Sequence, residues 1–91
     1  MSSVVIMHIG SIEVKEGESV LSGIRKNIGL SQEGLARRFG VSVRTVVRWE
    51  RGESPISLTF PQFKFLMSEL AAKGVDINEL PDDWGPLNQQ N

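Results

Sequence analysis

A mainly α-helical, compact bundle of four to five short helices, with an added N-terminal β-strand or hairpin, is the fold class this sequence predicts. Three observations predict it. From Leu21 onward the apolar residues recur three and four positions apart, the period of a helix with one buried face. Serine or threonine opens each periodic run and glycine closes it, which are the residues that satisfy free backbone groups at helix ends. Before these runs, Val4 to Val14 is rich in β-branched residues and broken only by Gly10-Ser11, the composition of extended chain.

The elements follow in order. Val4 to Val14 reads as one bent strand, or as two short strands joined at Gly10-Ser11, and Lys15 to Ser19 reads as a loop. Leu21, Ile24, Arg25 and Ile28 form one helical stripe that starts near Ser19 and stops at Gly29. Ser31 caps a second short helix whose Leu35, Ala36 and Phe39 face inward, and Gly40 ends it. Ser42 caps a third, with Val46 and Trp49 inward and Gly52 as its stop. Glu53 to Thr59 is a loop. Thr59 caps a fourth helix with Pro61 in its first turn, where a missing N–H costs little, and Phe63, Leu66, Met67 and Leu70 make its stripe. Gly74 closes it, Asp76 caps a final turn with Ile77 and Leu80, and Pro81 stops that turn. The expected division is residues 1–17 as an N-terminal strand or hairpin arm, 18–80 as the helical domain and 81–91 as a polar tail that Trp84 pins.

Composition narrows the function classes. With 91 residues the chain makes one small domain. It has no cysteine, so disulfides and thiolate metal sites are excluded, and its one histidine, His8, lies in a strand-like run and builds no multi-histidine site. No nucleophile–base pairing, paired carboxylates or Gly-rich phosphate loop stands out, so no enzyme, cofactor or metal is expected. No apolar run approaches the roughly 20 residues a membrane helix needs, and the start lacks the basic flank of a secretory signal, so a cytoplasmic location is expected.

The net charge of −1 is a poor guide, because its distribution is uneven. Between Arg25 and Arg51 lie seven basic residues against two acidic ones, a net +5 that leaves −6 for the remainder. That basic stretch coincides with the second and third helices, two short helices joined by a tight turn, which is the generic helix-turn-helix.

The residues sharpen this. Gly29-Leu30-Ser31-Gln32-Glu33, Leu35-Ala36, Phe39-Gly40-Val41-Ser42, Thr45-Val46 and Arg48-Trp49-Glu50-Arg51-Gly52 together resemble the phage-repressor/Cro (Xre-like) helix-turn-helix family of transcriptional regulators. The resemblance covers about Leu21 to Met67. It implies sequence-specific binding of double-stranded DNA, with the third helix lying in the major groove. The positions matching Val43, Arg44 and Arg48 face base edges in that family. Arginine offers parallel donors to guanine O6 and N7, and valine suits a thymine methyl. Gln32 matches a family glutamine that touches phosphate and extends to a base. Ser31, Arg51, Ser54, Ser57 and Thr59 are the further candidate phosphate contacts, which position the protein without reading sequence. Arg25 and Glu50 match a structural arginine–carboxylate pair. Trp49, on the Val46 side, belongs to the core. Gly34 departs from the family, where a helix-favouring polar residue is usual, and costs about 1 kcal/mol relative to alanine.

The strand-like segment lies outside the motif. Because a lone strand needs a partner, Val5, Ile6, Met7 and Ile9, with Phe65 beneath them, are candidate dimer-interface residues, the alternative being a hairpin folded onto its own domain. A homodimer suits a palindromic operator. A transcriptional regulator, most simply a repressor, is the leading expectation. An antitoxin that binds a toxin protein and an interaction module without DNA binding are the alternatives.

Overall fold

The computed structural model describes residues 4–86. Strands β1 (Val5–Ile9) and β2 (Ile12–Lys15) form an antiparallel hairpin, followed by helices α1 (Val20–Asn27), α2 (Gln32–Phe39), α3 (Val43–Arg51) and α4 (Phe60–Ala72), then a 3-10 turn over Ile77–Glu79. Each helix starts where a hydroxyl accepts a free backbone N–H. Ser19 accepts from Ser22, Ser31 from Gly34, Ser42 from Thr45 and Thr59 from Gln62, the last with a reciprocal Gln62 bond to the Thr59 N–H. The turn between α2 and α3 depends on Gly40 at φ 70°, a left-handed conformation that a side chain disfavours. There the Val41 N–H reaches back to the Ala36 carbonyl at 3.0 Å, tying off the end of α2.

The core is one cluster. Ile12, Val14, Leu21, Ile24, Leu35, Val46, Leu66 and Leu70 are fully buried in it, with Ala36 and Trp49 almost so. Small size at Ala36 lets α2 and α3 cross closely. The β-branched segment is the two-stranded form of the expectation, with a bulge between Val5 and Met7. Its inward side chains Ile9, Ile12 and Val14 fill the core against α1. Gly23 makes this possible: a Cβ there would lie 2.9 Å from Val14 Cγ2 and 3.0 Å from the Glu13 carbonyl oxygen.

Three expectations change. Ile9 is buried within its own chain at 3% exposure, so it is withdrawn from the candidate dimer interface. Phe65 is covered from within as well. Its ring meets Phe39 edge-on at 6.3 Å between centroids, and the Arg38 guanidinium lies 4.2 Å above it. The second and fourth helices therefore cover Phe65, where paired strands were expected to. Phe63, expected on the inward stripe of α4, is 41% exposed: it shares the face of Leu66 and Leu70 but lies in an open groove beside Met67, Ile77, Leu80 and Trp84 that leaves its ring partly in solvent.

The segment after Pro81 is held in place as far as Pro86. Gly85 and Trp84 carbonyls accept the N–H groups of Val20 and Leu21 at 3.3 and 3.0 Å, and Trp84 Nε1 donates to the Pro81 carbonyl at 2.9 Å. The rest of the expected tail lies outside the described residues. Among the described residues no helix is long and apolar enough to cross a membrane.

Candidate nucleic-acid interface

Helix α3 is amphipathic in the strict sense. Val46 and Trp49 fall on one side and are buried, while Val43, Arg44, Val47, Arg48 and Arg51 fall on the other. Val43 is 37% exposed, Arg44 and Arg48 are exposed, and Val47 is half-buried. Neither Arg44 nor Arg48 forms an ion pair among the described residues. Their guanidinium groups are thus presented to solvent on a helix whose opposite face is fixed, the condition for presenting donors in a set geometry.

A buried polar network fixes α3 against α1 and α2. Arg25 Nε donates to Glu50 Oε2 at 2.6 Å and its Nη2 donates to Glu50 Oε1 at 3.2 Å. Arg25 Nη1 donates to the Leu30 carbonyl at 3.0 Å. Both side chains are about one-tenth exposed or less. This two-point pairing spans α1 and α3 and also captures the carbonyl that precedes α2. Gln32 joins it, donating from Nε2 to Glu50 Oε1 at 3.0 Å. The sequence-predicted pair is therefore brought together, and Gln32 is added to it. One N–H of the Gln32 amide is committed within the protein, which leaves its second N–H and its carbonyl oxygen to present.

The other candidates lie at the start of α2, at the end of α3 and on the loop after it. Ser31 and Gln32 stand at the start of α2, and Ser31 Oγ accepts from the Gly34 N–H at 2.9 Å while remaining exposed. Arg51 ends α3, its side chain 68% exposed and 3.9 Å from the Glu53 carboxylate. Ser54 is half-buried and Ser57 and Thr59 are exposed on the α3–α4 loop. Thr59 Oγ1 is already used in capping α4.

Two capped helices joined by a glycine turn, the second with an open basic face, make a helix-turn-helix. Residues 21–60 match the helix-turn-helix family model. The model that matches is that of the Cro/C1-type, Xre-like helix-turn-helix. Searches among curated proteins and among solved structures return no match. The helix-turn-helix is a DNA-binding regulatory domain, and α3 is its second helix.

Three contributors to the helix-turn-helix surroundings escaped the sequence reading. Gln62 Nε2 donates to the Phe39 carbonyl at 3.0 Å, tying the end of α2 to α4. Its glutamine three residues after Thr59 signalled the cap, but nothing local signalled the partner. Glu18 pairs with Lys26 and also accepts the Lys15 N–H at 3.1 Å. Burial raises the Glu18 pKa, but the Lys26 and Lys15 interactions outweigh it, and the net direction is below the ordinary glutamate value. The third is the backbone pairing of the Pro81–Pro86 strap with α1, which leaves no periodic trace, although Trp84 was expected to pin this segment.

Proposed function

We propose that this protein is a cytoplasmic, sequence-specific transcriptional repressor that binds a palindromic operator as a homodimer. The observation that carries the reading is the open face of α3. Arg44 and Arg48 project from a helix clamped by Val46, Trp49 and the Arg25–Glu50–Gln32 network. In this reading Arg44 and Arg48 each donate to a guanine edge, and Val43 meets a thymine methyl. Gln32 offers its remaining amide N–H to phosphate and can extend to a base edge. The N-terminus of α2 with Ser31 and Gln32, together with Arg51, Ser54, Ser57 and Thr59, holds the phosphate backbone.

The dimer would use the free edge of β1. That strand pairs only with β2 among the described residues, and Val4 and Ile6 beside the edge are 56% and 47% exposed. An edge strand of this kind invites a second strand, and Val5 and Met7 flank the seam. Two copies related by a two-fold axis then match two half-sites.

Selection of bound duplexes from a random pool, with the wild type and Arg44→Ala side by side, tests this. The expected result is a palindromic site that loses about 1–3 kcal/mol of preference at one base pair per half-site in the variant. No enrichment even at low salt overturns DNA reading and turns attention to a protein partner such as a toxin. A site without two-fold symmetry, with a single chain's mass by light scattering, overturns the dimer.

A further inference from the structure

A cleft of about 310 Å³ opens beside the helix-turn-helix, between the loop that follows β2 and the far end of α3. Glu18, Ser22, Lys26, Gln32, Val47 and Arg51 are among its walls. Three of these walls belong to the DNA-facing surface: Val47 and Arg51 are on the outward side of α3, and Gln32 opens α2. The others come from α1 and from the loop that the hairpin adds. The floor is electrically balanced, because Arg25 and Glu50 satisfy each other there. The rim is not. Lys26 and Arg51 stand on it with side chains 55% and 68% exposed, and Glu18 is its third charge.

Glu18 and Lys26 differ in how firmly they are held. Glu18 is anchored by the Lys15 N–H as well as by Lys26, whereas the Lys26 ammonium has Glu18 as its one partner among the described residues. A lysine head on a four-carbon stem moves at little cost, so Lys26 is the partner free to turn away.

We propose that this cleft seats one backbone phosphate at the margin of the DNA site, held by Lys26 and Arg51. Lys26 reaches the phosphate by leaving Glu18, and the Glu18 carboxylate competes with the phosphate for it. The hairpin thereby tunes DNA affinity through the loop that carries Glu18, without touching a base. The site rests on the DNA-binding reading above and extends its footprint past the helix-turn-helix to α1.

Fluorescence anisotropy with a labelled duplex over a salt series tests it, using the full chain. Lys26→Gln is expected to weaken binding to every duplex by the same factor. It should also reduce the slope of log affinity against log salt by about 1, the signature of one lost phosphate contact. Lys26→Arg should keep the slope. Glu18→Gln is expected to tighten binding several-fold, and the gain should shrink when Lys26→Gln is also present. Thermal melts of each variant establish that the fold is retained. An unchanged slope in Lys26→Gln overturns the proposal, as does a loss confined to particular base pairs. Wild-type protein that binds no duplex at low salt overturns the DNA-binding reading itself, and the two failures are read on different proteins.

Discussion

Helices α1 and α3 are of nearly equal length and both carry basic residues, yet their environments are opposite. Every residue of α1 from Val20 to Arg25 is buried, while α3 buries only Val46 and Trp49. The difference comes from what each helix is given to touch. The hairpin covers α1 on one side, α3 covers it on another, and the Pro81–Pro86 strap takes up its first N–H groups. Nothing among the described residues covers the outer face of α3. A basic residue on an enclosed helix becomes a structural tie, as Arg25 does, and one on an open helix remains available, as Arg44 does. The same residue type takes either role according to the packing around it.

That contrast is breakable at several points. The largest effect is expected at the tie itself. Glu50→Ala leaves Arg25 buried without its carboxylate and frees the Gln32 amide, so a loss of about 3–5 kcal/mol is expected in denaturant unfolding. A midpoint equal to wild type would mean that α1 and α3 are held by apolar packing alone. Next is Gly23, where the hairpin approaches α1. Gly23→Val places methyl groups against Val14 and the Glu13 carbonyl and should cost about 1–3 kcal/mol, measured the same way. Stability at wild-type level would show that the hairpin is not pressed against the helix.

The smallest effect concerns Glu18, at the margin between the two helices. Its pKa in the folded chain lies below the unfolded value, so its interaction stabilises above the unfolded pKa. That contribution fades as pH falls through the folded pKa. Melting curves of wild type and Glu18→Gln should therefore differ slightly near neutral pH and converge in acid, below the ordinary glutamate range. A gap that persists into acid would place the stabilisation elsewhere.

How much of this was legible in the sequence depended on how local the cause was. The starts at Ser31 and Ser42 and the stops at Gly40 and Gly52 were readable, because a cap and a turn are decided within a few residues. The Arg25–Glu50 pairing was readable only through the family resemblance. The Gln32 bond to Glu50 was not, since it joins two helices through a choice of rotamers. Phe63 was expected inward and is exposed, and Phe65 was expected beneath paired strands and packs on Phe39. Both lie within one turn of Leu66, and Arg38 and Phe39, from another helix, decide which ring is covered. The side of the hairpin that enters the core was undecided too, because alternation marks two faces without saying which is wet. On the outer face of α3, Val43, Arg44 and Arg48 were singled out by the family resemblance, while the Lys26–Glu18 cleft, assembled from separate segments, left no pattern to find.

The strap over α1 has a consequence for the order in which the molecule assembles. The pairing of α2 with α3 joins neighbours in the chain and closes short loops. The first turn of α1 waits for carbonyls at Trp84 and Gly85, most of the chain away. Contacts between distant residues cost more chain entropy and form more slowly. The helix-turn-helix can therefore take shape while the start of α1 is still open, and the finished domain is locked last at the helix that ties its halves together.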